Sequence, residues 1–312
     1  MWVILALVSA LCLGGYDVSK KIALREHRVV DVLTLSIIIS GVLLSVPLLI
    51  SRLSPEMVIG TPFYVPEMDA EAHLLTLVKS CIVLSSWVFG FVSLKHLPIS
   101  VVSPMQATRP MWTLTGALLI FGERLNTWQW IGVLLATGSI IVSAIRKKKA
   151  EKRSQKKEEI DPKYYICLAL AILIGSCSGL YDKYMMRHYD HNSVQVYYTF
   201  YQAVMMLIVW GIDRYRHRTD VNRLPLKCKD GLGWLLPIAL ISILLVISDN
   251  VYMLALRDPD SLIAVVSTIR RSGTVIAFAY GLLFLHEPDP RRKIACMIGI
   301  LTGLVFLAAG SL

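Results

Sequence analysis

Seven ionisable residues stand inside stretches of sequence that otherwise read as hydrocarbon: Asp17, Lys79, Arg109, Asp182, Asp249, Arg270 and Arg271. An arginine at the centre of a membrane helix costs roughly 2.5 to 3.5 kcal/mol on insertion scales, so ionisable groups there generally face a cavity or one another. A guanidinium offers paired, planar donors to a carboxylate or phosphate and does not lose its proton, so Arg109, Arg270 and Arg271 point to an anionic ligand. The competing reading has them neutralised internally by Asp17, Asp182 and Asp249, which could also serve as ion-pair or proton-coupling groups. Neighbours on a helix point about 100° apart, so one of Arg270 and Arg271 faces the cavity and the other a flank.

The elements that must carry these residues follow from composition. Of 312 residues 55% are hydrophobic and 17% charged, with a mean hydropathy of +0.59, which excludes an ordinary soluble domain. Runs of the length that crosses a core of roughly 30 Å occur at about 2–23, 30–51, 74–94, 99–121, 127–145, 164–187, 192–211, 232–254, 261–285 and 293–311. The expected fold is an all-α membrane protein of ten transmembrane helices. The opening apolar run lacks a basic leader and a small-residue cleavage site, and reads as a first spanning helix rather than a signal peptide.

The net charge of +10 resides in loops, which points to the lipid bilayer rather than nucleic acid. With ten spans, the loops on one side carry 23 Lys/Arg and those on the other side five. The positive-inside rule then places the basic linker 146–163 in the cytoplasm and both termini outside, in a multi-pass protein of the plasma (inner) membrane. The six cysteines form no CxxC pattern and read as packing residues, and the HxxH at His188 and His191 lacks carboxylate partners, so no metal or cofactor is expected. The turn residues Glu123 and Glu287 read as helix-dipole partners, each of the helix that follows it.

The linker 146–163 separates two hydrophobic halves, 1–145 and 164–312, each with five spans. Their polar residues repeat: "GGYDVSK" around Asp17 answers "GLYDKYM" around Asp182, "LLIFGE" answers "LLFLHE", and Thr137-Gly138 answers Thr302-Gly303, at offsets of 164 or 165. Arg109 answers Arg271 at an offset of 162. Because five is odd, the second copy is expected upside down relative to the first, the inverted repeat of many secondary transporters, whose site lies near the midplane.

The stretch "SVVSPMQATRPMWTLTGALLIFGERLNTWQWIGVLLATGSIIVSA" resembles the drug/metabolite transporter superfamily, EamA-like branch, and the block recurs more loosely at 261–309. The resemblance implies a ten-helix carrier of small metabolites with a central cavity. Sugar-phosphate and nucleotide-sugar carriers of that superfamily have a basic pair similar to Arg270-Arg271 in their ninth helix, where it binds phosphate. Their fourth-helix lysine falls at Gln106 here, with the charge a turn later at Arg109.

Gln195, Tyr198 and Gln202 share one face of the seventh span, so Tyr198 and Gln202 join Gln106 and the arginines as candidate substrate-binding residues. The sequence thus favours a secondary transporter of a small anionic or zwitterionic metabolite, working by alternating access. It contains no G-x-x-x-x-G-K-[ST] for ATP and no grouped nucleophile and base, so it does not read as an enzyme. A non-transporting membrane scaffold or auxiliary subunit, or a membrane enzyme, with the arginines in structural ion pairs, is the alternative.

Overall fold

A computed structural model describes residues 1–23, 27–97, 105–106, 108–151, 162–216, 235–283 and 290–311. The described residues are helical throughout, with short connections. In chain order the helices are α1 (Trp2–Ala23), α2 (Val29–Leu53), α3 (Ala70–His96), α4 (Arg109–Ile120), α5 (Thr127–Glu151), α6 (Lys163–His188), α7 (His191–Arg216), α8 (Leu235–Arg257), α9 (Ile263–Arg271), α10 (Thr274–Leu283) and α11 (Pro290–Ala309). Five of them, α1, α2, α3, α6 and α8, are long and apolar enough to cross a membrane. Exposed Leu, Ile and Val side chains along α1, α2, α5 and α11 form the surface that lipid would cover.

The packing is between the two halves of the chain. α1 lies along α8, α3 along α6, α2 along α7, and α5 along α11; α4 touches α6 and α9, while α1 also crosses α9 and α10. Glycine permits the closest of these crossings. A Cβ on Gly132 would stand 2.7 Å from the Gly303 carbonyl oxygen, and one on Gly303 2.8 Å from that of Gly132, so α5 and α11 meet backbone to backbone.

Three features depart from the sequence reading. The ninth span, expected as one helix over 261–285, is broken at Ser272-Gly273 into α9 and α10. Around the break the ladder tightens to three-residue spacing, with Ser272 N donating to Ile269 O at 3.0 Å and Val275 N to Ser272 O at 2.9 Å. The cause is a neighbour: Gly273 packs on the Ala10 carbonyl, and a Cβ on Gly14 would lie 2.6 Å from the Gly273 oxygen. In the fourth span, Arg109 opens a helix instead of lying midway along one. Pro110 fits beside it because the second helical position needs no N–H bond. Pro104 lies outside the described residues.

The fifth helix, expected to end at 145, runs to Glu151 into the basic linker. The Lys-rich segment is a good helix former, and its positive charge suits the helix C-terminus. The connection from Ser54 to Asp69 is fastened down. Asn192 Nδ2 donates to the carbonyls of Pro62 and Tyr64 at 2.8 and 2.9 Å, and Ser193 Oγ to that of Pro66 at 2.8 Å.

Candidate functional site

The helix breaks and the α1, α3, α6, α7 and α8 faces enclose a cavity of about 230 Å³. Four cations line it, Lys79, Arg109, Arg270 and Arg271, against two carboxylates, Asp182 and Asp249. Tyr16, Trp87, Tyr198 and Tyr252 supply aromatic wall.

Lys79 and Arg270 have carboxylate partners. Lys79 Nζ sits 2.8 Å from Asp182 Oδ1, with the lysine side chain 3% exposed, and 4.5 Å from the centre of the Tyr198 ring. Arg270 forms an ion pair with Asp249 and lies 4.1 Å over the Tyr252 ring. Each pair is thus a carboxylate, a cation and an aromatic face, which together satisfy charges held away from water. Arg271 lines the cavity and is exposed, within electrostatic reach of Asp17 and Arg270. Asp17 in turn has Lys20, Arg271 and Arg270 as its charged neighbours.

Arg109 differs. Among the described residues no carboxylate lies within ion-pair distance of its guanidinium, and the one acid in its electrostatic neighbourhood, Asp182, is already held by Lys79. Its position is built in: the guanidinium rests on Gly175 of α6, where a Cβ would overlap it, and its carbonyl accepts from Ser176 Oγ at 3.2 Å. Gly175→Ala is therefore expected to displace Arg109 and reduce anion-dependent stabilisation of the purified protein by tenfold or so in apparent affinity, the scale of one displaced charge-assisted hydrogen bond. Gly138→Ala, at a position with nothing within 4 Å of an added Cβ, is the control and should leave it unchanged.

The remaining sequence candidates separate. Tyr198 lines the cavity. Gln202 is buried beside it, in a side chamber of about 40 Å³ that shares Trp87, Tyr198, Leu245 and Asp249 with the main cavity. Gln106 is half-buried and outside both. Asp17 is on the adjoining face of α1 from Tyr16, which does line the cavity. Lys79, one of the ionisable residues that the sequence places in the spans, enters the site as the partner of Asp182, and Tyr252 is an addition to the sequence candidates. Lys79 is one of only four basic residues inside the spans, and Tyr252 stands three residues after Asp249 on the same helix face, so both carried a signal.

Glu123 has a different partner from the one its position suggested. It caps α9 across the bundle instead of the helix that follows it: Oε1 accepts from Ile263 N at 2.8 Å and Oε2 from Ala264 N at 3.3 Å. Glu287 lies outside the described residues. Among the described residues no group of His, Cys, Asp and Glu could hold a metal ion, His188 and His191 included.

Fold and site define a multi-pass helical membrane protein with a charged cavity inside its bundle. Residues 1–145 match the EamA-like transporter family, so this part of the chain is similar to membrane transporters of the drug/metabolite transporter superfamily. A solved crystal structure shares the fold with a TM-score of 0.71 at 12% identity, over 98% of this chain and 95% of that one. No curated protein matches the sequence.

Proposed function

We propose that the protein is a secondary carrier of a small organic or inorganic anion, binding it at Arg109 between the two halves of the chain and alternating access by rocking those halves. The observation that carries this reading is Arg109 itself, a guanidinium set in the bundle on a glycine seat without a carboxylate of its own. A structural cation would have one, as Lys79 and Arg270 do. Arg271 adds positive potential to the cavity wall, and Tyr198, Gln202 and Tyr252 offer the ligand's remainder rings and an amide. A zwitterion is the weaker candidate, because its ammonium would need an acid and both acids lining the cavity hold protein cations. The volume of about 230 Å³ lies below the roughly 300–1,000 Å³ of pockets for drug-sized ligands, in keeping with a small ligand.

An inverted repeat would permit the rocking motion, and the helix contacts fit one. Exchanging each span for its counterpart five spans later turns the α1·α8 contact into the α6·α3 contact and the α4·α6 contact into that of α9 with α1. The pairs α2·α7, α5·α11 and α4·α9 map onto themselves, as elements astride a two-fold axis must. Arg109 stands at the start of α4 and Arg271 at the end of α9, before the break at Ser272-Gly273. The loop charges support a cytoplasmic linker 146–163 in the plasma (inner) membrane, with both termini outside.

The test is a panel of anions (phosphate, sulfate, mono- and dicarboxylates, sugar phosphates) against amino acids and cations, read first by thermal stabilisation of the purified protein and then by flux into proteoliposomes. Anions alone should raise the melting temperature, since a ligand binding the native state at a hundred times its Kd adds about 2.7 kcal/mol. Stabilisation by amino acids or cations and by no anion contradicts the reading.

A further inference from the structure

Among the described residues Lys183 is the largest fully buried side chain, and it does not line the binding cavity. Its Nζ donates to Glu123 Oε1 at 2.6 Å and to the Ser261 carbonyl, with side-chain exposures of 1% for the lysine and 3% for the glutamate. Glu123 meanwhile receives the first amides of α9, the half-helix that ends in Arg270 and Arg271. A helix N-terminus, a carboxylate and an ammonium, drawn from three separate parts of the chain, therefore close on one another. They do so at the end of the bundle away from the linker 146–163. Phe121 roofs the group, with Lys183 5.6 Å and Arg187 5.1 Å from its ring centre.

Arg271, at the end of α9, is exposed, while Asp182 in the cavity and Lys183, Ser261 and Glu123 outside it are buried. Asp182 and Lys183 are consecutive on α6, about 100° apart, so one turn of helix presents the first to Lys79 in the cavity and the second to Glu123. The repeat does not copy this arrangement. At the 165-residue offset that relates Asp182 to Asp17, the counterpart of Lys183 is Val18.

Resting on the carrier reading, we propose that Glu123 and Lys183 are positioning residues that form a one-sided latch: they hold α9 in place and close the face opposite the linker, and the latch must part for that face to open. Val18 cannot make the ammonium–carboxylate contact that Lys183 makes, so on this reading the resting carrier is open toward the linker. The latch sets which face the cavity addresses and how far Arg270 and Arg271 can move, through α9, without itself touching the ligand.

The test uses the full-length protein with its six cysteines replaced and a single reporter, Ser178→Cys, on the cavity wall. A membrane-impermeant maleimide is applied to sealed vesicles of each orientation. The unlatched variants Glu123→Gln and Lys183→Met should raise labelling from the face opposite the linker about tenfold and lower it from the linker side, a shift of the usual size for a coupled two-state element. Lys183→Arg, which keeps the charge, should label as the parent does. A merely structural role would not move labelling in opposite directions on the two faces. Unchanged labelling in both variants, with a monodisperse peak and parental helical circular dichroism, overturns the latch. Should the variants fail to fold, the parent decides: an impermeant acylating reagent at the opposite face should modify Lys183, read by mass spectrometry, as fast as the reporter labels from that face. Reporter labelling there with Lys183 left unmodified also overturns it. Anion stabilisation and flux in the unaltered protein judge the carrier reading separately.

Discussion

Arg109→Gln should abolish anion-dependent stabilisation and flux while raising the melting temperature of the ligand-free protein. The two halves of that result have one cause. A charge-assisted hydrogen-bonded contact is worth about 1.5–3 kcal/mol, so its loss weakens binding by roughly 10- to 150-fold. The same guanidinium sits within the membrane span without a carboxylate among the described residues. Its placement there costs the empty protein something on the order of 1–2 kcal/mol, less than the full insertion penalty because the cavity is partly open. Glutamine removes that cost and keeps an amide that fits the Gly175 seat. Arg109→Lys should be intermediate in binding, retaining charge but losing the planar fork. Melting curves with and without the stabilising anion, together with proteoliposome flux, check both signs. A fall in ligand-free stability would mean that Arg109 serves the fold, and that a structural partner for it exists.

The sequence revealed most where the physics is least forgiving. Charges in hydrocarbon are costly enough that Arg109, Arg270, Arg271, Asp182 and Asp249 announced a cavity by their position alone, and all five line it. Apolar runs of membrane length located the helices, since no other pattern satisfies the backbone in lipid. What stayed hidden depends on contacts across the chain. The break at Ser272-Gly273 needs the Ala10 carbonyl on the far side, and a lone glycine in an apolar span does not reveal its neighbour. Glu123 and Ile263 are 140 residues apart, so spacing could suggest a dipole partner for the glutamate but not which helix supplies it. Gly175 is silent for the same reason: its role is to be the place where Arg109 lies. Gln106, suggested by spacing relative to Pro110, precedes the start of α4 and is not among the residues that line the cavity.

Arg270 should behave as the reverse of Arg109. Arg270→Ala leaves Asp249 charged, half-buried and without its partner, and removal of one member of a buried pair costs about 3–5 kcal/mol. Loss of the guanidinium from the Tyr252 face removes a further contribution of about 0.5–2 kcal/mol. Stability of that size lost from a membrane protein shows as poor yield and a broad early melting transition, and flux falls with the amount of folded protein. The double variant Arg270→Ala/Asp249→Ala removes both charges together and should recover most of the stability, giving a coupling energy well above that of independent sites. Because Arg109 is intact in it, anion stabilisation should return with the fold, weakened severalfold at most by the loss of positive potential nearby. A double variant that folds but no longer responds to any anion would reassign Arg270 from partner of Asp249 to contact of the ligand. The cycle thus separates the two uses of arginine in this cavity by sign: one guanidinium whose removal relieves the empty protein, and one whose removal breaks it.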